Sequence, residues 1–183
     1  EAYHQKKVGL TFLFEMKSNQ NKVIQKMKKR ILKLLIISTV LLFFSCQNEN
    51  IVYNKYYNLT DSSWSHNDSV LFHWTVEDTS IAYNIDLQLR ASSSYKWSNI
   101  FVFSDVFFPN SKARRDTFEF FLADSKGHWI GERSGLIIDY NFSLYKKIRF
   151  PLVGQYKFYF QQAMRDSVLN EILDIGIKVT HSK

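Results

Sequence analysis

Ile81-Ala82-Tyr83-Asn84-Ile85-Asp86-Leu87-Gln88-Leu89-Arg90 is the stretch whose reading decides the fold. Ile81, Tyr83, Ile85, Leu87 and Leu89 alternate with Ala82, Asn84, Asp86, Gln88 and Arg90. Successive side chains of a strand point to opposite sides, so this run has one apolar and one mostly polar face. On either side of it, Val70–Val76 and Trp97–Phe103 behave similarly but are more apolar. Farther on, Phe118, Phe120 and Leu122 share a face, as do Tyr156, Phe158 and Phe160, and then Ile175, Ile177 and Val179. Turn signals punctuate the runs at Ala91–Ser94, Pro109-Asn110, Lys126-Gly127, Gly135, Pro151 and Gly154. The spacing predicts seven or eight antiparallel strands in an all-β single domain, a β-sandwich or jelly-roll-like fold. Arg165–Leu173 reads as a short helical turn or a long loop. The sequence contains no internal repeat and no low-complexity tract.

Upstream of the strands lies a targeting signal. Met27-Lys28-Lys29-Arg30 is a positive n-region, and Ile31–Phe44 is an apolar stretch interrupted by Lys33, Ser38 and Thr39. The stretch is shorter than the roughly 20 apolar residues a membrane-spanning helix needs. It ends in Leu42-Phe43-Phe44-Ser45-Cys46, which reads as the cleavage and lipidation site of a bacterial lipoprotein. Lipidation gives Cys46 a diacylglyceryl thioether and an N-acyl chain. Two acyl signals hold a protein on a membrane where one alone is marginal. The organisation expected is an upstream, non-structural extension over 1–26, a lipoprotein signal peptide over 27–45, a polar tether over 46–67 and the β-sandwich over 68–183. Gln47 follows the cysteine in place of the aspartate that retains lipoproteins at the inner membrane, so the expected location is the outer membrane.

The net charge of +7 belongs to the segment expected to be removed. Residues 1–45 hold nine Lys/Arg and two Asp/Glu, whereas 46–183 hold fifteen of each. A neutral mature domain lacks the electrostatic footprint of a nucleic-acid binder. Arg114-Arg115 and Lys146-Lys147-Ile148-Arg149 remain as local basic clusters, read as solvated strand ends or as lipid or partner contacts. Cys46 is the only cysteine, so no intramolecular disulfide is available and an aromatic core must hold the domain.

Motifs for catalysis are absent from the sequence. His66, His73, His128 and His181 have no metal-ligand spacing, and Gly131-Glu132-Arg133-Ser134-Gly135 does not match a nucleophile elbow. There is no phosphate loop or dinucleotide fingerprint. Asp78-Thr79, Asp116-Thr117 and Asp124-Ser125 read as turn-fixing residues, with a Ca²⁺ site on Asp116 and Asp124 as the lesser alternative. The expectation is a non-enzyme with no metal site and no cofactor. Trp74 and Trp97 lie in apolar strands and read as core, while Trp129, beside Lys126-Gly127-His128, is the candidate for stacking on a glycan. Asp68-Ser69-Val70 and Asp166-Ser167-Val168 resemble an O-glycosylation tripeptide, which makes Ser69 and Ser167 candidate acceptors.

Several segments taken in order carry a wider resemblance: Asp78-Thr79, Tyr83-Asn84, Leu89-Arg90, Tyr95 through Asn99, Pro109 and Asp116-Thr117. They continue through Leu122-Ala123-Asp124 with Gly127, Trp129 and Gly131, then Phe150-Pro151 with Gly154 and Tyr156. Gln162-Ala163-Met164-Arg165 leads to Asp174-Ile175-Gly176. This pattern covers nearly all of Asp78–Val179 and resembles the gliding-motility lipoprotein GldH family of Bacteroidota. The resemblance implies an outer-membrane-associated lipoprotein needed for gliding and linked to the type IX secretion machinery. It implies no enzymatic activity, and as partners it implies the membrane and other gliding or secretion proteins of the envelope. Only Cys46, as the lipid site, carries over. The alternative from the residues is a surface glycan-binding lipoprotein that uses Trp129.

Overall fold

The computed structural model describes residues 26–30, 32–33 and 50–182. Residues 26–30 and 32–33 are helical, and no described helix is long and apolar enough to cross a membrane. Most of the expected signal peptide, with Cys46, lies outside the described residues. Glu49–Lys183 forms one compact unit, and the strands belong to it. They are β1 (Ile51–Asn58), β2 (Ser63–Ser65), β3 (Ser69–Val76), β4 (Tyr83–Ser92), β5 (Asn99–Phe107) and β6 (Ala113–Phe121). β7 (Glu132–Ser134), β8 (Ile137–Ile148), β9 (Gly154–Gln162), β10 (Val168–Asn170) and β11 (Ile172–His181) complete the chain.

One sheet has the order β1-β11-β4-β8-β7, the other β3-β9-β5-β6, and β10 pairs with β2 in a small third ladder. Every pairing between strands is antiparallel. Counting only the eight long strands, the first sheet runs first-eighth-third-sixth and the second runs second-seventh-fourth-fifth, the strand order of a jelly roll. Apart from the β5–β6 hairpin, each connection between consecutive long strands passes from one sheet to the other. All-β sandwich architecture is therefore what the alternating pattern encodes.

The inward faces follow the period of two. Ile85, Leu87 and Leu89 of β4 and Ile175, Ile177 and Val179 of β11 are buried opposite Phe72 of β3, Ile100 and Val102 of β5, and Phe158 and Phe160 of β9. In β11 the alternation slips by one. Ile172 pairs with Ala91 and Asp174 with Arg90, so Leu173 forms a bulge that keeps both Ile172 and Ile175 inward and turns Asp174 outward.

Aromatic residues close the ends of the core. At the end where β1 starts and β11 finishes, Trp74 meets Tyr83 at 4.8 Å and Phe150 at 5.3 Å, and Phe150 meets Tyr156 at 4.5 Å. The Tyr156 hydroxyl donates to Leu152 O at 3.0 Å and fixes the β8–β9 loop. Gly154, the first residue of β9, has φ +128°, and a Cβ there would stand 3.0 Å from Pro109 Cβ. At the opposite end, Trp64 of β2 and Leu169 of β10 face each other in register, both buried, and Trp64 Nε1 donates to Asp68 O at 3.0 Å. Along the side between β6 and β8, Phe120 stacks on Phe142 at 4.5 Å. The Tyr145 hydroxyl there donates to Asp116 Oδ2 at 2.6 Å.

Two sequence expectations are corrected. The 46–67 segment read as a tether holds β1, a turn at Thr60–Ser62 and β2, so the fold begins at β1 and not at residue 68. β1 escaped notice because it is an edge strand, exposed on both faces except at Tyr53. Arg165–Leu173 is neither helix nor simple loop, since Val168–Asn170 pairs with β2. The turn reading of the aspartates holds at Asp78, whose Oδ1 accepts from Ser80 N at 2.7 Å. It holds also at Asp124, whose Oδ1 accepts from Lys126 N at 2.8 Å and His128 N at 2.9 Å. Asp116 instead joins Arg114 and Tyr145 within the sandwich rim.

Gly154→Val forces a β-branched residue into a conformation that only glycine adopts freely, against Pro109. It should destabilise the domain by about 1–3 kcal/mol, read as a lower melting temperature, and an unchanged melt would contradict this backbone geometry. A second expectation concerns alkali. Burial pushes the Tyr140 phenol up to about 12. Tyr145 is raised as well, by burial first and then by its bond to Asp116. A phenol with its folded pKa above the ordinary value of 10.0 stabilises the fold fully below that pH and loses the contribution as pH rises through the folded value. Circular-dichroism melts should therefore hold steady up to about pH 10 and fall beyond it. A melt unchanged to pH 12 would refute the burial of these phenols.

Candidate functional site

The two outer faces of the sandwich differ in chemistry. Outward positions of the five-stranded sheet are polar: Asn84, Asp86, Gln88 and Arg90 on β4, Asp139 and Asn141 on β8, Asp174 and Lys178 on β11. Arg90 bridges Asp139 at 2.8 Å and the buried Asp174 at 3.0 Å. Its guanidinium also lies 5.7 Å from the Tyr56 ring centre. Tyr56 covers Gly176, where a Cβ would come within 2.8 Å of the tyrosine Cδ1. This face is closed on itself by hydrogen bonds and ion pairs.

The outer face of the four-stranded sheet is aromatic. β5 places Ile100, Val102, Ser104 and Val106 inward, which leaves Phe101, Phe103, Asp105 and Phe107 outward. The register sets Phe103 between Gln161 and Thr117, Asp105 between Tyr159 and Arg115, and Phe107 between Lys157 and Ala113. Leu71 of β3, 43% exposed, stands beside Tyr159. Phe121, 61% exposed, stands beside Asn99 at the other edge. Phe107 meets Tyr159 edge-on at 5.4 Å. Arg115 grips Asp105 through two bonds of 2.6 Å, and its guanidinium lies 5.0 Å from the Phe103 ring centre. Those bonds raise the Arg115 pKa, so the guanidinium is cationic at every working pH. Toward the β1-start end the face runs into a groove of about 510 Å³ lined by Phe107, Phe108, Pro109, Gln155, Lys157 and Tyr159. Phe101, Phe103, Phe107 and Tyr159 with the paired Arg115 and the exposed Lys157 among them give this face the aromatic and basic composition of a protein-docking face.

The residues singled out from sequence lie elsewhere. Cys46 is outside the described residues. Trp129 is half-buried and packed on the core, with its backbone bridged to Ala123. Ser69 opens β3 and Ser167 precedes β10. Both are exposed, and they sit at the same end, where His66 N donates to Ser167 O at 2.9 Å. Asp116 and Asp124 each have their own partners and do not share a site. Among the described residues no group of three His, Cys, Asp or Glu gathers as metal ligands. Sequence reasoning missed Phe101, Phe103, Phe107 and Tyr159. The available signal was Ile100-Phe101-Val102-Phe103, a run with no polar face in a sheet that has only one buried side.

Known proteins match this chain along its length. A protein named gliding motility lipoprotein GldH homolog, from Christiangramia forsetii, is 28% identical over 155 residues, covering 81% of this chain and 94% of its own. Gliding motility lipoprotein GldH of Flavobacterium johnsoniae is 28% identical over 152 residues, covering 79% and 93%. Among solved structures, the VP2 subviral particle of infectious bursal disease virus aligns at 9% identity with a TM-score of 0.31, over 75% of this chain. The chain spans 34% of that capsid protein. The profile of the GldH lipoprotein family matches residues 51–179, from the start of β1 to Val179 in β11, and the chain belongs to that family.

Proposed function

We propose that this protein is a lipid-anchored, non-catalytic component of the outer-membrane machinery for gliding motility and the associated type IX secretion, held by a lipid on Cys46. The observation that carries the reading is the aromatic outer face of the four-stranded sheet. It is preformed on paired strands and centred on the outward Phe101, Phe103 and Phe107. Lipid anchoring confines the domain to a leaflet and raises its effective concentration near other envelope proteins. The face then buries Phe103, Tyr159 and the Arg115 plane against a protein partner of that machinery, since aromatic and arginine side chains dominate such contacts. Family membership, the names of the two relatives and the signal ending at Cys46 support the reading.

A clean deletion in the native host tests it, scored for surface movement and for the secreted proteins. Loss of both, restored by the wild-type chain, is expected. Cys46→Ala should restore neither, because the domain no longer stays on its membrane. The triple variant Phe101→Ser/Phe103→Ser/Phe107→Ser should fractionate with membranes and keep a cooperative melt, lowered by the loss of half-buried rings, yet fail to complement. Full complementation by the triple variant would remove the docking face. Normal movement and secretion after deletion would remove the functional assignment itself.

A further inference from the structure

The strand order brings a distinct set of loops to the end of the sandwich where β1 begins. β1 starts opposite Thr180 and β4 opposite His181, while β3 finishes opposite Gly154. The β3–β4, β5–β6 and β8–β9 loops and the finish of β11 therefore meet at one end. The fold is fixed right up to Asn50, whose carbonyl accepts from His181 N at 3.0 Å. Gln47, Asn48 and Glu49 are all that separate it from Cys46. Four consecutive Cα–Cα steps span at most about 14 Å, so a lipid on Cys46 holds this end close to the headgroups.

The chemistry of that end suits such a neighbour. Lys112, Lys146, Lys147 and Arg149 are all exposed there. The β8–β9 loop adds apolar tips: Val153 is 61% exposed, and Pro151 is exposed beside it. Two acids, Glu77 and Asp78, share the end. Asp78 is turned back onto its own loop through Ser80 N, and Arg149 Nε donates to Ser80 O at 3.2 Å. Arg114 is held by Asp116 along the rim. The opposite end mixes both signs: Asp61, Asp68, Asp124 and Glu132 are exposed there alongside Lys96, Lys126, Arg133 and Arg165. Basic side chains within a screening length of about 8–10 Å feel an anionic surface.

We propose that the end of the sandwich formed by the 77–82, 108–112 and 149–153 loops docks on anionic phospholipid headgroups of the bilayer that holds the lipid. Lys112, Lys146, Lys147 and Arg149 contact phosphates, and Val153 touches the interface. This orientation rests on the lipidation of Cys46. It stands the domain upright, with the aromatic sheet face parallel to the membrane normal and open to a neighbour at the side.

The test uses the lipidated protein in vesicles of phosphatidylcholine and phosphatidylglycerol that contain nitroxide-headgroup lipid. With Cys46 acylated, a thiol-reactive fluorophore reports a single site, placed at Val153→Cys or, at the far end, at the exposed Leu136→Cys. Strong quenching at position 153 and none at 136 is expected. Quenching at 153 should weaken in pure phosphatidylcholine and in Lys112→Glu/Lys146→Glu/Lys147→Glu/Arg149→Glu. Each basic group near an anionic surface is worth about fivefold in partition. Equal quenching at the two positions, in protein that still floats with the vesicles, would overturn the docking while leaving the anchor. Failure to float, with an unmodified Cys46 by mass, would overturn the anchor and the docking with it.

Discussion

Two sheets that no covalent cross-link joins must bury enough aromatic surface to stay together, and everything else in this structure follows from that requirement. The single cysteine lies ahead of the sandwich, so Trp74, Tyr83, Phe150 and Tyr156 at one end, and Trp64 with Leu169 at the other, complete a core that disulfides would otherwise help to hold. Rings of this size bury 150–250 Å² each. The polar tips of Trp64, Tyr140 and Tyr156 are directed to backbone carbonyls, as with the Tyr140 hydroxyl on Leu122 O at 3.1 Å. The same tactic pins loops, so the core and the loop conformations are one set of contacts.

The jelly-roll order distributes the chemistry of the surface. β4 and β8 carry alternating apolar and polar residues, which yields a solvated outer face knit together by Arg90, Asp139 and Asp174. β5 is apolar on both sides, so its outer side stays aromatic. Its edge neighbour β6 is charged. Arg114 and Asp116 project inward at the rim and Arg115 lies over the face, and charges so placed on an edge strand discourage another chain from adding to the sheet there. Recognition through the face, and not through the edge, is the mode this arrangement favours.

The sequence was legible where burial is one-sided. The alternation over Ile81–Arg90 matches β4 nearly residue for residue, and the runs around Phe118, Phe158 and Ile177 match β6, β9 and β11. It was illegible where a strand departs from that rule. β1 is exposed on both faces, so its Asn, Lys and Tyr read as a polar linker. β10 is three residues long and owes its existence to Trp64 across the ladder, a contact made a hundred positions away in the chain. β5 read only as a more apolar strand; its lack of a polar face becomes a signal for Phe101 and Phe103 once the sheet is known to bury one side. Trp129, singled out beside a Lys-Gly turn, is half-buried, with part of its ring packed on the core.

The pairing of β1 with β11 has a mechanical consequence. β1 is the first strand after the proposed lipid site at Cys46, and it runs beside the last strand with register kept from Ile51 to Asn58 apart from one bulge. A pull between a lipid at the start of β1 and a neighbour gripping the other sheet acts along the strand axis. Its backbone hydrogen bonds are then strained together in shear and do not open one after another like a zip. A domain attached in this way resists tension through the whole β1–β11 ladder at once, and the tolerance to force is set by strand order, with no special sequence needed at the attachment point.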